Sequence, residues 1–201
     1  GVTGVQTCAL PISVIDRVAA RHPRVTYSVS TEGSLMAAQR VIDGTADVAI
    51  GFVHQRLPGL RQLAVARFDL GVVMRPDHPL VRHKSVRFSQ CMRFPLVLPA
   101  PELTLREALA PLLAAQAEPP DVRLETGSYE MMKQMALQGR GLVFSNRFGI
   151  EEELERGQLV HRPLKDAAPS LLGVYVRIRR SLPPAVEAFC RHAGEYLRSL
   201  A

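Results

Sequence analysis

The stretch from Val25 to Gly51, VTYSVSTEGSLMAAQRVIDGTADVAIG, limits the possible folds more than any other part of the chain. Val25, Tyr27 and Val29 alternate with Thr26, Ser28 and Ser30, the period of a strand with one face better buried than the other. The polar run Thr31 to Ser34 ends the alternation, and Gly33 and Ser34 are placed to enter and cap a helix. Leu35, Ala38 and Ile42 follow at spacings of three and four and so share one helical stripe. Gly44 stops that helix, and Val48 to Ile50 form a short buried strand behind Asp47. A strand, a crossover helix and a strand in this length predict a βαβ unit and a parallel sheet. Open parallel sheets bind ligands beyond the carboxyl ends of their strands. The small polar residues before Leu35 stand at such an end.

With 201 residues and 47% apolar content, the chain can bury one good core or two small ones. No apolar run approaches the roughly 20 residues that span a bilayer. The net charge of +6 suggests nucleic acid, but the pattern argues otherwise. Only Lys84, Lys133 and Lys165 are lysines among 25 basic residues, and the arginines are scattered. The densest cluster, Arg82, His83, Lys84 and Arg87, lacks the interleaved aromatics of a single-strand platform. It reads as a solvated surface. Cys8, Cys91 and Cys190 are too few and too far apart for a disulfide framework or a zinc site, so reduced, buried thiols are expected.

Along the rest of the chain, Val14 to Ala20 reads as a helix that ends before His22-Pro23. Leu60 to Val65 and Leu70 to Met74 read as strands, and Pro76-Asp77-His78-Pro79 marks the first domain boundary. Beyond it, Leu96 to Leu98 is a strand. Leu105, Ala108, Leu109, Leu112 and Leu113 form a helical stripe that Pro111 should kink or split. Val122 to Glu125 is the next strand, and Gly127-Ser128 precede a helix whose Met131, Met132, Met135 and Ala136 are read as packing. Gly139 is placed as a left-handed cap before the strand Gly141 to Phe144. A short charged helix, Glu151 to Arg156, follows, and Leu159 to Leu164 is expected to return toward the first lobe. Leu172 to Ile178 is a long strand. Pro183-Pro184 open a last helix with Val186, Phe189, Cys190, Ala193, Leu197 and Leu200 on one face. The predicted architecture is α/β: two lobes, 13–74 with 165–201 and 75–164, joined by two crossings around a central cleft.

The residues after each predicted strand are Thr31 to Ser34, Gly51 to His54, Pro99 to Pro101, Gly127-Ser128 and Ser145-Asn146. These are small, hydroxyl, amide or imidazole groups, which suit a polar small-molecule site. Ser34 and Ser128 stand out because each is placed at a helix N-terminus, where free N–H groups and the dipole attract a carboxylate or other anion. Both also suit ordinary capping, worth about 1 kcal/mol. His54 is placed to orient a ligand, although loop histidines are usually only solvated. No HExxH, GxSxG, CxxC or GxxxxGK[ST] pattern occurs, and the GRG at Gly139 falls short of a dinucleotide fingerprint. No catalytic residue, metal site or cofactor is expected, and the chain is not read as an enzyme.

Four segments taken in order carry a resemblance. GTADVAIG after an amphipathic helix, then RPDHPL, GRGLVF and GQLVHRPL, resemble the effector-binding domain of LysR-type transcriptional regulators from about Ile15 onward. That resemblance implies a periplasmic-binding-protein-like, two-lobe domain that senses a small, anionic metabolite in its cleft. It also implies a cytoplasmic protein that self-associates as a homodimer or homotetramer, with the helix Leu35 to Ile42 and its neighbouring strand taking part. DNA would be bound by a winged helix-turn-helix absent from this chain. By the resemblance, Ser34 falls where a hydroxyl contacts effector, Ala100 and Pro101 in a hinge-side loop that offers backbone groups, and Ser128 at a helix lining the far wall. Thr31, His54 and Asn146 complete the expected ligand-binding set.

Three features qualify this expectation. The family usually ends the strand after its glycine pair with a proline, whereas this chain has Phe144-Ser145-Asn146-Arg147. Arg147 would either grip an anionic effector through a bidentate fork or pair with Glu151 four residues on, and the ion pair is favoured. A secreted solute-binding protein of a transporter shares the two-lobe plan, but the order of motifs favours the regulator. Residues 1–12, GVTGVQTCALPI, resemble a translated sequencing adapter and are set aside, leaving the family's first strand and polar loop unaccounted for. A carboxylate, an aromatic acid or an amino acid would each suit the predicted site.

Overall fold

The computed structural model describes residues 2–5, 12–30, 32–52, 57–178 and 181–200. The elements run β1 (Val2–Val5), α1 (Ile12–Arg21), β2 (Tyr27–Val29), α2 (Ser34–Asp43), β3 (Ala49–Phe52), β4 (Leu60–Phe68) and β5 (Gly71–Met74). There follow α3 (Phe88–Cys91), β6 (Leu96–Pro99), α4 (Thr104–Ala114), β7 (Val122–Thr126), α5 (Tyr129–Leu137), β8 (Leu142–Ser145), α6 (Glu151–Glu155), β9 (Val160–Pro163), β10 (Ser170–Arg177) and α7 (Pro184–Leu200). They divide into two compact units, Gly1–Arg67 with Leu171–Ala201, and Phe68–Ser170. The chain therefore crosses between units twice.

The crossings do not fall where the punctuation in the sequence suggested. β5, expected in the first lobe, pairs with β8 and β9 and so belongs to the second unit. β9 lies in the second unit as β5's other partner, within the range 75–164 expected for the second lobe, but the chain crosses back only after Ser170 rather than after residue 164. A four-residue apolar strand announces its burial but not its partners, and the Pro76–Pro79 turn lies one strand beyond the crossing.

In the first unit β3, β10 and β4 form a sheet in that order, and β3 runs antiparallel to β10 from Leu172↔Phe52 to Tyr175↔Ala49. β2 pairs in parallel with β1, in the segment the sequence set aside as extraneous. The expected parallel pairing across α2 is thus replaced: α2 carries the chain from β2 to a strand whose hydrogen bonds go to β10. Main-chain pairing asks little of side-chain identity, so Val2–Val5 can fill a strand position that the sequence pattern did not announce. α2 packs by Ala37, Ala38 and Val41 against Ala46, Ala49 and Tyr175. The predicted stripe is turned by about one residue, since Leu35 and Ile42 are half-buried and Met36 is exposed. Alanines at the contact let the helix lie close to the sheet, and Gly44, at φ 79°, ends it. Buried Val14 and Val18 of α1 and Val186, Phe189, Cys190, Ala193 and Leu197 of α7 supply apolar faces where these helices pack together. The α7 face agrees with the predicted periodicity, except that the Leu200 side chain lies outside the described residues.

The second unit carries a five-stranded sheet ordered β7-β6-β8-β5-β9. β6 is parallel to β7 and β8, as crossovers through α4 and α5 require, while β5 is antiparallel to β8 and β9. Its core includes Leu96, Leu98, Leu109, Met132 and Leu142, with Phe88 and Phe144 rings 5.1 Å apart. Met132 is buried as predicted, but Met131 is exposed. Gly139 takes the predicted left-handed conformation, φ 65°, behind α5. RPDHPL is structural: the Arg75 guanidinium pairs with Asp77 and donates to the Leu137 carbonyl at 3.4 Å, while His78 Nδ1 accepts from Leu80 N–H at 3.2 Å.

α4 runs unbroken through Pro111, contrary to the expected kink or split. The proline ring is exposed, while Leu105, Leu109 and Leu112 are buried on the other side. Burial of that stripe outweighs one lost i to i−4 hydrogen bond and the ring's crowding of the Glu107 carbonyl. Pro111→Ala should therefore stabilise the protein, by about 1–2 kcal/mol after allowing for the unfolded chain's greater freedom. Urea denaturation midpoints of the two proteins check this, and a midpoint that falls or stays put would rule it out.

Candidate functional site

In the first unit, Ser34 opens α2 but does not cap it, correcting the sequence reading. The N-cap is Gly33, which makes no side-chain cap bond. Ser34 Oγ instead accepts the Phe52 N–H at 3.0 Å, tying α2 to the end of β3. A side chain at Gly51 would bring its Cβ within 2.9 Å of that oxygen, so glycine there permits the approach. The hydroxyl has spent a lone pair on the scaffold and keeps its proton to donate. The loop before it is held by Arg40, whose Nη1 donates to Ser30 Oγ at 3.2 Å and Glu32 Oε1 at 3.0 Å. This clamp was missed from sequence; its only trace is the eight-residue step from Glu32 to Arg40, from the loop to the second turn of the helix. Thr31 and His54 lie outside the described residues.

In the second unit, the carboxyl ends of β6 and β7 are bound together. Arg106 Nη1 donates to the Pro99 carbonyl at 3.0 Å and to Glu125 Oε2 at 2.7 Å. Ala100 N–H donates to the Thr126 carbonyl at 2.9 Å, and its own carbonyl accepts from Leu103 N–H at 3.0 Å. Its N–H is therefore committed to the fold, which narrows the backbone role expected of that loop. Pro101 is exposed. Ser128 is a true N-cap, with Oγ accepting from Met131 N–H at 3.2 Å and its own N–H donating to Thr126 Oγ1 at 3.1 Å. Register brings Ala100, Pro101 and Ser128 to adjacent strand ends, with Asn146 after β8, the next strand over.

Asn146 is 6% exposed and its Oδ1 accepts from Phe148 N–H at 2.9 Å, closing the turn after β8. The favoured pairing of Arg147 with Glu151 does not occur: Glu151 Oε2 accepts from Gly149 N–H at 2.7 Å, and Arg147 is exposed. Capping the start of α6 is the closer use for that carboxylate.

His161, passed over in the sequence, is the most perturbed group of this edge. It stands on β9, its ring lies across Gly71 of β5, and its Nε2 is 3.2 Å from the Ser145 carbonyl on β8. A carbonyl can only accept, so Nε2 carries the proton. A Cβ on Gly71 would collide with Nε2, so the bridge requires glycine. Burial pushes the imidazole pKa down to about 4, with Arg147 and Arg162 acting in the same direction while the Ser145 bond and Asp69 oppose it. Cys91 and Cys190 are buried thiols raised to about 12 by desolvation, and so inert as nucleophiles. Among the described residues no cluster of His, Cys, Asp and Glu could hold a metal ion, and no helix is long and apolar enough to cross a membrane.

The family model described as the LysR substrate binding domain matches residues 2–198. The chain belongs to that family. The HTH-type transcriptional regulator BbuR of Bordetella bronchiseptica is 27% identical over 168 residues, 83% of this chain and 51% of that protein. The chain spans about half the length of several curated relatives it matches. Among solved structures, the effector binding domain of QuiR in complex with shikimate aligns with a TM-score of 0.77 at 15% identity, covering 98% of this chain and 96% of that one. HinK, a LysR family regulator from Pseudomonas aeruginosa, aligns at 0.80 and 16% identity, covering 100% and 71%. At these identities the structures establish the fold alone: the mixed α/β, two-lobe fold of LysR regulatory domains.

Two predictions concern this LysR domain's scaffold. The folded-state pKa of His161 lies below the ordinary value, so the unfolded chain binds more protons between about pH 4 and 6.5. Stability should be full above that window and fall by roughly 3 kcal/mol as pH drops through it. Denaturant titrations at stepped pH measure this, and His161→Gln should remove most of the slope. Ser34→Ala should cost about 1 kcal/mol through the abandoned Phe52 N–H. Unchanged stability in that variant would mean the bond contributes nothing.

Proposed function

We propose that this chain is the effector-sensing domain of a LysR-type, DNA-binding transcriptional regulator and that its effector is a small metabolite bearing a carboxylate. Membership of the family over residues 2–198 carries this reading. The curated relatives are transcriptional regulators and not enzymes, which supports it. Shikimate, bound by the QuiR domain of the same fold, is itself a carboxylate with hydroxyls. The proton left on Ser34, the exposed cap at Ser128 and the amide of Asn146 are the groups offered to such a ligand, with Ala100 and Pro101 as walls and Thr31 and His54 as further contacts. The protein would work in the cytoplasm as a homodimer or homotetramer, α2 taking part in the pairing, and would reach DNA through a winged helix-turn-helix outside this chain. An effector would shift that assembly only by its difference in affinity between two states.

Thermal-shift and calorimetric titration of this chain with a set of small carboxylates, shikimate included, tests the reading. At least one should raise Tm saturably, and Ser34→Ala should weaken it by about tenfold, the worth of one hydrogen bond to a charged group. Silence across the set would count against effector sensing. Equal binding by Ser34→Ala would remove Ser34 from the site.

A further inference from the structure

The net charge of +6 is not spread evenly along the chain. Segments 78–94 and 160–168 together hold six basic residues, Arg82, Lys84, Arg87, Arg93, Arg162 and Lys165, against one acidic residue, Asp166. With 25 basic and 19 acidic residues in all, the rest of the chain is within one charge of balance. Asp77, just ahead of the first segment, is paired with Arg75.

The fold joins the two segments into one surface of the second unit. The rings of His78 and Phe94, 4.5 Å apart and edge to face, pin the ends of the first segment together. Its middle is bonded to the second segment: Val86 bridges Leu164 in parallel, donates its N–H to the Pro163 carbonyl at 3.0 Å and accepts the Lys165 N–H at 2.9 Å. Arg162 is consumed in fastening β9 to the turn before Arg82, its Nε and Nη2 donating to the Val81 carbonyl at 3.1 and 2.8 Å. Val86 and Leu164 are buried, whereas Arg82, Lys84, Arg87, Arg93 and Lys165 are exposed. Successive cations from Arg82 to Arg87 stand no more than about 11 Å apart by chain length, close to the Debye length of about 8–10 Å, so their fields add. Among the described residues, no ion pair includes any of the five exposed cations. Asp166 is turned to the Phe88 N–H at the start of α3, 3.1 Å from each of its oxygens.

The chemistry of this surface selects its partner. None of the large apolar side chains that the described residues expose lies in either segment. A protein partner is normally held by aromatic or aliphatic anchors, and none is offered here. A phosphate backbone asks only for cations and donors. The lack of aromatics that argues against a single strand does not argue against a duplex, whose bases stay stacked on each other.

We propose that Arg82, Lys84, Arg87, Arg93 and Lys165 form a contact surface for the phosphate backbone of duplex DNA, separate from the DNA-binding domain outside this chain. That the polyanion is DNA rests on the regulator reading above. Such a contact is independent of sequence: it adds affinity and position, and leaves base recognition to other parts of the protein.

The test is fluorescence anisotropy of a short labelled duplex of arbitrary sequence titrated with this chain, at salt from about 20 to 100 mM. Binding should be saturable, and the logarithm of the affinity should fall against that of salt with a slope between about −4 and −5, as about five phosphate contacts require. Lys84→Gln, Arg93→Gln and Lys165→Gln in one variant should reduce that slope by about 3. Arg17→Gln, Arg21→Gln and Arg24→Gln in another remove the same charge from exposed positions of the first unit and should leave it unchanged. Circular dichroism confirms that both variants keep the fold. No binding at the lowest salt, an equal loss in the two variants, or tighter binding to polyglutamate or to phosphatidylserine vesicles than to the duplex would overturn the proposal. None of these outcomes bears on carboxylate binding, so effector sensing stands or falls on its own titration.

Discussion

A residue with no side chain at position 71 lets the edge of the second sheet be built as it is. β5 lies between β8 and β9, and an imidazole on β9 can reach a carbonyl on β8 only by passing over it. Gly71 leaves that path open, and the His161–Ser145 bond then fastens three strands at one end. Fixing Ser145 fixes the turn that follows, where Asn146 binds Phe148 N–H and Phe148 meets Phe68. The cost of this arrangement is a histidine buried in its neutral form, which links the unit's stability to pH. Any side chain at position 71 would displace the ring and loosen the loop together.

Elsewhere the polar groups near strand ends serve the scaffold first, and what they keep defines what they can offer a ligand. Ser34 and Ser128 have each accepted a backbone N–H and retain a proton. Several arginines are spent in the same way: Arg40 on Ser30 and Glu32, Arg75 on Asp77, Arg106 on Pro99 and Glu125, Arg162 on Val81. A formal charge of +6 therefore says little about where a free cation stands. A side chain can offer a ligand only what the fold has not already taken.

The helices and strands were legible in the sequence where an apolar period met a clear stop. α7, with its buried stripe, and α5, closed by Gly139, are such cases. Pairing partners were not legible. Val72, Val73 and Met74 declare a buried strand, but nothing in them says that β8 and β9 flank it. The βαβ argument failed at α2 because crossover length permits a parallel pair without compelling one, and β3 found β10 instead. Pro111 misled because a local rule was applied where three buried leucines decide the outcome. Ser34, Ser128 and Asn146 were singled out through strand-end composition, and each is bonded to a nearby backbone N–H. His161 was missed because its importance depends on a glycine ninety residues away in sequence.

The Glu32–Arg40 pair shows how a charge is spent on the scaffold. The two close on each other because a helix brings the arginine back over the loop at its own start, which ties that loop to the helix. A pair so open to solvent gains only about 0–1 kcal/mol, since water screens it and two side chains lose freedom. Its effect is positional rather than energetic: the chain entering α2 is held beside Ser34, whose hydroxyl is bonded to Phe52 N–H.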